Sequence, residues 1–361
     1  MHMINIKSKY LACLGTLLAL LGAQWIAGSQ GAAQSFGKTL DEVVKLARKE
    51  GKVRLCSSSP DERDAKQFFA TFRQKYPGIE VEYTRCRGVE SRERILNELL
   101  GGQVDYDLIH VSTELIPKFK KASLLAGPFD WKGFFNIRDN FISPDRYMVA
   151  AGSSVDVILY NSKLVAKEHI PRNWSDCLNP RWKGNFIVET RANTFSGLYP
   201  HWGKEKLVDY ARKLAENKPV WNRGNTESMN KVIAGEYPLM CGAYLSSALR
   251  ALSRDPTVPL GIVIPQEVPA NLFATFGIFK AAKNPNAALL LAGYLATDEG
   301  QQSYRLVHRE SPYDEGSDTG KLIKQAGAKI LFTGWEYTPD QENQVVRWIL
   351  QAWGFPTGKG K

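Results

Sequence analysis

The sequence predicts an α/β fold made of two halves, each a mostly parallel β-sheet flanked by helices. From Gly51 onward, short β-rich runs alternate with amphipathic helical runs, which is typical of a parallel sheet wound with right-handed crossovers. The same alternation begins again after the WKG turn at residues 182–184. No low-complexity tract or Pro/Gly-rich linker separates the two copies, so we expect extended strands to join the halves.

The first 33 residues are predicted to be a cleavable signal peptide. Lys7 and Lys9 precede an apolar run at residues 11–23, and small residues at 31–34 offer a cleavage point after Ala33. The apolar run is shorter than the roughly 20 residues that span a bilayer. We therefore expect a soluble protein exported to the periplasm. Its net charge of +10 falls to +8 without the two leader lysines, which suits an anionic ligand but also simply favours solubility.

The first half is predicted to contain three strands, each followed by a helix. The strands are short and apolar, whereas the helices repeat apolar residues at helical spacing. We expect strands at residues 53–56, 79–84 and 107–111, and helices at about 61–76, 90–100 and 114–121. In the sequence Ser59-Pro60-Asp61-Glu62, Ser59 has the position of a helix N-cap.

The second half repeats this pattern, and a helix-rich tail follows it. We expect strands at residues 186–189, 219–221 and 238–241, and helices at about 205–217, 226–234 and 244–252. A further helix is predicted at residues 285–295.

Four cysteines follow the predicted leader, an even number that indicates disulfides in an exported protein. Cys56 and Cys86 lie at the ends of the first two predicted strands. Neighbouring strands lie about 4.8 Å apart, which brings the two sulfurs within reach of a disulfide. Cys177 and Cys241 then either pair within the second half or stay free and buried. No cysteine or histidine cluster has the spacing of a zinc site.

Polar loops follow all six predicted strands, and they are the candidate ligand site. In open α/β sheets ligands bind beyond the carboxyl ends of the strands, so two facing sheets would enclose one small ligand. Helix N-termini at such loops favour an anion. Each residue taken singly is also compatible with a capping or solvated surface role. The candidate ligand-binding residues are Ser57, Ser58, Arg85, Arg87, Ser91, Ser112, Thr113, Arg191, Asn193, Ser196, Asn225 and Tyr244.

Signatures of other functions are missing from the sequence. There is no GxSxG elbow, HExxH motif, P-loop or dinucleotide fingerprint, and the histidines are scattered. We therefore expect a binding protein rather than an enzyme, with an exported enzyme using the same cleft as the alternative. Basic residues cluster at 118–121, but no stacking aromatics interleave them, so no nucleic-acid partner is expected.

Seven landmarks in order make the chain similar to the periplasmic solute-binding proteins of ABC importers, in the group that includes the ferric-iron-binding proteins. They lie at residues 158–165, 174–176, 178–186, 234–244, 261–266, 284–302 and 310–312. The resemblance implies the two-lobed type 2 architecture with crossing strands. It places one lobe at residues 34–152 plus 265–361 and the other at 153–264. It also implies a monomer without a cofactor that closes over one ligand and delivers it unchanged to an inner-membrane permease.

The resemblance makes iron a specific alternative ligand. Ferric relatives usually place two adjacent tyrosines after the third strand of the second lobe, whereas here Tyr244 is followed by Leu245. The loop after the first strand also lacks the His or Tyr that many such relatives provide. We therefore expect a small organic or phosphate-bearing anion and no metal. If iron is bound, the candidate ligands are Tyr244, Tyr199 and His201.

Overall fold

The computed structural model describes residues 35–86, 88–103, 105–111 and 115–356. The predicted signal peptide lies outside the described residues, as do the candidate site residues Arg87, Ser112 and Thr113.

The strands form two separate sheets. Within the described residues they are β1 (Lys52–Ser57), β2 (Glu80–Arg85), β3 (Leu108–His110), β4 (Met148–Ala150), β5 (Ser153–Asn161), β6 (Ile187–Glu189), β7 (Val220–Asn222), β8 (Leu239–Tyr244), β9 (Leu260–Val263), β10 (Glu267–Leu272), β11 (Thr275–Ile278) and β12 (Lys329–Thr333).

Helices cover both sheets. Within the described residues they are α1 (Leu40–Glu50), α2 (Ala65–Phe68), α3 (Ala70–Lys75), α4 (Gly88–Leu100), α5 (Ile116–Lys121), α6 (Trp131–Phe135), α7 (Asn193–Ser196), α8 (Tyr199–Glu216), α9 (Asn225–Ile233), α10 (Leu245–Arg254), α11 (Pro285–Ala296), α12 (Asp298–Gln301), α13 (Asp318–Ala326) and α14 (Pro339–Ala352).

Two predicted helices differ from the structure. The helix expected at 61–76 is a 3₁₀ turn, Glu62–Asp64, followed by α2 and α3, so Asp61 occupies the cap position and Ser59 is not an N-cap. Phe68 and Phe69 are both buried, and neighbouring helical residues point about 100° apart, so a break at Phe69 lets both rings reach the core. Helix α8 begins six residues earlier than predicted and departs from helical geometry at Gly203.

The predicted α/β fold class is confirmed, although the sheets are less parallel than expected. The first sheet has the order β2-β1-β3-β11-β4, and the second has the order β12-β10-β5-β8-β6-β7 with β9 beside β5. Strands β1, β2 and β3 pair in parallel, as do β6, β7 and β8, and β10 with β12. Every antiparallel pairing involves β4, β5, β10 or β11, the strands that carry the chain between the sheets.

Three chain segments cross between the sheets side by side. One joins β4 to β5, and the second joins β10 to β11. They bond to each other, since Phe273 donates its backbone N–H to the Gly152 carbonyl at 3.0 Å. The third leads from the core of the first sheet, which contains Tyr304, to α13, which packs on the second sheet through Ile323. The predicted crossing strands are therefore present.

The C-terminal segment is shared between the two sheets. Strands β10 and β12 pair within the second sheet, and Val345 and Ile349 of α14 lie in the core of that sheet. The expectation that all of residues 265–361 belong to the first lobe therefore does not fit β10, β12 and α14. They join the second sheet because β10 supplies the edge on which β12 pairs. A division at residues 152 and 153, between β4 and β5, stays our proposal.

Both predicted disulfides are present. Cys56 and Cys86 are bonded with their Cα atoms 5.6 Å apart, which confirms the pairing expected from neighbouring strands. Cys177 and Cys241 are bonded with a Cα separation of 6.3 Å, which resolves the open alternative in favour of a second disulfide.

The first sheet is anchored by a buried carboxylate at the start of β3. Asp107 is fully buried and accepts hydrogen bonds from the Arg54 guanidinium at 2.7 and 3.1 Å. It also accepts the backbone N–H groups of Lys283 and Asn284 at 2.8 and 3.1 Å, immediately before α11. Burial opposes ionisation, but the Arg54 and Asn284 hydrogen bonds outweigh it and hold the pKa of Asp107 below its usual value.

Candidate functional site

A cleft of about 780 Å³ lies where residues of the two sheets and the crossing segments meet. The first-sheet side contributes Thr275 of β11 and Lys120 of α5. The second-sheet side contributes Tyr244 at the end of β8 and residues of the segments that follow β6 and β12. Because the lining comes from both sheets, a bound molecule would contact both at once. The volume suits a small ligand.

Three of the predicted site residues come together in this cleft. Arg191 and Asn193 follow β6, and Tyr244 ends β8. β6 and β8 are neighbouring parallel strands, so their carboxyl ends lie at the same edge of the sheet. This is the convergence that the polar loops predict.

Arg191 is held in place by a buried carboxylate behind it. Its guanidinium bonds to Glu189, whose side chain is fully buried at the end of β6. Burial opposes the charge on Arg191, but the Glu189 carboxylate outweighs it and raises the pKa of Arg191. The guanidinium is therefore charged and fixed at the cleft wall.

Arg309 is a second guanidinium in the cleft. It lies over the ring of Tyr244, 5.3 Å from the centroid, and over the ring of Phe273 at 4.6 Å. Burial lowers the pKa of Arg309 to about 10, so it is still a cation at neutral pH. Among the described residues it forms no ion pair.

Tyr244 lies between opposing charges. Burial is the largest influence, and with Asp156 and Glu189 it raises the pKa of Tyr244 to about 12, while Arg191 and Arg309 act in the opposite direction. The phenol is therefore neutral at physiological pH and can donate a hydrogen bond to a ligand.

Asp156 is a fully buried carboxyl near this group of residues. It accepts a hydrogen bond from Asn271 at 3.2 Å on one oxygen, and its other oxygen has no hydrogen-bond partner among the described residues. Burial raises the pKa of Asp156 well above its usual value, against the pull of Arg309.

Carboxylates occupy other parts of the cleft wall. Glu342, near the start of α14, accepts a hydrogen bond from the Asn193 amide at 3.0 Å. Asp145 forms an ion pair with Lys120 and accepts the Ser143 hydroxyl at 2.7 Å. The cleft therefore offers cationic donors and anionic acceptors in different places.

Other predicted residues lie at strand ends but not among the described residues that line the cleft. Ser57 and Ser58 place their hydroxyls 3.4 and 3.0 Å from Nδ1 of His110. Burial, with Arg92 and Arg309 nearby, lowers the pKa of His110, so the ring is neutral. Arg85 instead forms an ion pair with Asp61.

Three further candidates also do not line the cleft. Ser91 donates to the Gly88 carbonyl at 3.3 Å in the first turn of α4. Ser196 is buried and donates to the Asn193 carbonyl at 2.9 Å. Asn225 is buried at the start of α9, where its side-chain amide makes no hydrogen bond within the described residues.

The alternative iron ligands are not gathered in the cleft. Of the three, only Tyr244 lines it. Tyr199 packs on Tyr337 and Trp348, with ring centroids 6.0 and 5.7 Å apart, and His201 is exposed on α8. Within the described part of the chain, no group of three or more His, Cys, Asp or Glu side chains is arranged to hold a metal ion.

Several cleft residues were missed in the sequence. Arg309, Trp335 and Glu342 come from the C-terminal hundred residues, and none follows a predicted strand of the alternating pattern. The only signal for Arg309 is that it directly precedes the ESP landmark at 310–312. The sequence marks Lys120 only as a member of the basic cluster at residues 118–121.

Solved structures share this fold across most of the chain. An iron- and citrate-bound Trichodesmium protein (IdiA, FutA) is 20% identical with a TM-score of 0.66, covering 85% of this chain and 100% of that one. Ferric iron-binding protein A of Mannheimia haemolytica, in an open conformation, is 18% identical with a TM-score of 0.66, covering 84% and 98%. The periplasmic binding protein AfuA of Actinobacillus pleuropneumoniae, with fructose-6-phosphate bound, is 19% identical with a TM-score of 0.59, covering 85% and 99%.

At these identities the likeness establishes the fold, which is that of the two-lobed periplasmic binding proteins. The family model described as bacterial extracellular solute-binding protein matches residues 106–340, and the chain belongs to that family. An uncharacterized protein of Haemophilus influenzae is 25% identical over 147 residues. That match covers 39% of this chain and 41% of the relative, so this chain spans less than half of the relative's length. No helix in the described ranges is long and apolar enough to cross a membrane.

Proposed function

We propose that this protein is the solute-binding component of an ABC importer and captures a small anionic, phosphate-bearing solute in the cleft. The observation that carries the proposal is the meeting of Arg191, Tyr244 and Arg309 in a cleft lined by both sheets. Two guanidinium groups and a phenol supply hydrogen-bond donors, and the planar guanidinium fork matches phosphate or carboxylate oxygens.

The carboxylates of the cleft suit the rest of such a ligand. Glu342 and Asp145 can accept hydrogen bonds from hydroxyl groups, whereas they would repel a second anionic group. The ligand that fits is therefore anionic at one end and hydroxylated along its body. The fructose-6-phosphate bound by AfuA has this chemistry, which supports the proposal.

Iron is the second candidate, because several of the similar structures are ferric-binding proteins. A site for Fe³⁺ needs several hard, anionic oxygen ligands. Here Tyr244 is the one residue of the three expected iron ligands that lines the cleft among the described residues. The donor set therefore favours the organic anion.

The proposal has further parts, and membership of the family of bacterial extracellular solute-binding proteins supports export and transport among them. The protein acts in the periplasm after export, works as a monomer, delivers its ligand to a membrane permease and performs no chemistry on it. Binding between two connected sheets is the geometry of capture and release.

The test is ligand binding by the purified mature protein. We would measure thermal stability and calorimetric affinity with fructose 6-phosphate, citrate, inorganic phosphate, fructose and ferric citrate. A phosphorylated sugar at about 100 times its Kd should stabilise the fold by about 2.7 kcal/mol, while fructose should have no effect. Binding of ferric iron alone, with a visible charge-transfer band, or turnover of any of these solutes would contradict the proposal.

A further inference from the structure

We propose that Arg309 both binds the anionic group of the solute and couples that binding to closure of the cleft. The inference rests on the proposed function and adds the residue that connects the ligand to the crossing segments. Nothing in the alternating sequence pattern marks residue 309.

The backbone of Arg309 belongs to the hinge. Its carbonyl accepts the Ser153 N–H at 2.7 Å, and the carbonyl of the next residue, Glu310, accepts the Ser153 hydroxyl at 2.6 Å. Ser153 is the first residue of β5, directly after the crossing from the first sheet. The third crossing segment is therefore tied to the first one at Arg309.

The side chain of Arg309 contacts the second crossing segment and the second sheet. Its guanidinium contacts Phe273, which lies in the second crossing segment, between β10 and β11. It also contacts Tyr244 at the end of β8 in the second sheet. One residue thus touches all three crossing segments and one wall of the cleft.

The charge of Arg309 is available to a ligand. No ion pair neutralises it among the described residues, in contrast to Arg191 with Glu189 and Lys120 with Asp145. Glu310 and Asp156 attract it only through space, and Arg250 repels it. Since no acidic side chain of the described residues is bonded to it, Arg309 could pair directly with a phosphate or carboxylate in the cleft, in a partly dehydrated place where such a bond is strong.

Binding at this point would draw the crossing segments into one arrangement. A ligand oxygen bonded to the guanidinium fixes the side chain between Tyr244 and Phe273, and the backbone of the same residue holds Ser153. A ligand that lacks the anionic group would fill the cleft without this effect. The anionic end of the solute is therefore expected to decide whether the protein closes.

The experiment uses the mature protein with the variants Arg309→Gln and Arg309→Lys. Arg181→Gln is the matched control, because Arg181 also lies over an aromatic ring, Trp182 at 5.4 Å, but does not line the cleft. The probes are fructose 6-phosphate, citrate and inorganic phosphate. Affinity is measured by calorimetry, and closure by small-angle X-ray scattering with and without saturating probe.

We expect Arg309→Gln to weaken anion binding roughly 10- to 100-fold, the value of a hydrogen bond to a charged group. Arg309→Lys, which keeps the charge but not the fork, should lose about 10-fold. Both should show less compaction than wild type at saturation, and Arg181→Gln should match wild type. If Arg309→Gln does not fold, the affinity and compaction of Arg309→Lys test the inference instead.

Three other outcomes would each refute a specific part of the proposal. Wild-type affinity and compaction in the folded Arg309 variants would refute the inference and leave the proposed function standing. Weaker affinity with full compaction would refute the coupling to closure. Failure of the wild-type protein to bind any of the three anions would refute the proposed function, and this inference with it.

Discussion

Replacing Gly152 by alanine should strain the hinge at a point that the structure defines closely. Gly152 lies between β4 and β5 with φ near +140°, a conformation that side chains other than glycine rarely adopt. A Cβ atom there would lie 2.3 Å from the Arg309 carbonyl oxygen. That oxygen cannot simply move away, because it accepts the Ser153 N–H. The alanine can be accommodated only if two crossing segments separate.

The expected cost is the sum of two effects. Strain in such a backbone region is about 1–3 kcal/mol, and crowding in a packed interior is about 1–3 kcal/mol. We expect Gly152→Ala to lower the free energy of unfolding by about 2–6 kcal/mol. Gly184→Ala is the matched control, because Gly184 has a φ of +74° but a Cβ atom added there would meet no other atom within 4 Å. It should cost only about 1–2 kcal/mol.

The assay is urea denaturation at pH 7, followed by circular dichroism and by tryptophan fluorescence. Scattering with saturating fructose 6-phosphate would then report whether the alanine variant still closes. If Gly152→Ala costs no more than Gly184→Ala, the close approach of the crossing segments is not what requires glycine, and the reasoning fails.

Four further predictions concern three buried groups. Asp107→Ala should lower the unfolding free energy by about 3–5 kcal/mol at pH 7, since it leaves Arg54 without its partner; a loss below about 1 kcal/mol would contradict this. Since the pKa of Asp107 is lower in the folded state, its contribution is complete above about pH 4 and is lost in acid, so Asp107→Asn should flatten the acid side of the stability profile. Folding raises the pKa of Asp156, so the wild-type protein loses stability as the pH rises above about 4. Asp156→Asn should therefore be more stable than wild type at pH 8, and the difference in stability between the two proteins should be smaller at pH 4. Equal melting temperatures at pH 8 would refute this. Replacing Cys177 and Cys241 by serine should cost about 4 kcal/mol, because the disulfide closes a loop with a sequence separation of 64; an unchanged urea midpoint would show that the closed loop contributes nothing.

The local pattern of the sequence was sufficient for the elements that alternate regularly. Six predicted strands appear as β1, β2, β3, β6, β7 and β8, because short apolar runs between amphipathic helices have few other folded arrangements. The Cys56–Cys86 disulfide followed from the same reasoning, since consecutive parallel strands end side by side. Arg191, Asn193 and Tyr244 were reached in this way as well.

Other candidate residues show the limit of that reasoning. Arg85 is the last residue of β2 and Arg191 lies just beyond β6, yet Arg85 pairs with Asp61 whereas Arg191 lines the cleft. Position at the end of a strand is a local property. The direction in which the side chain points, and the partner that it meets, depend on residues far away in the sequence.

The sequence by itself determined the class of fold, the two disulfide candidates and the edge of each sheet where polar loops gather. Only the tertiary structure decided that β10, β12 and α14 join the second sheet and that Arg309 enters the cleft. The physical reason is range. Periodicity and turn chemistry act over a few residues, whereas Arg309 meets Ser153 across 156 positions of the chain, through packing that no local pattern records.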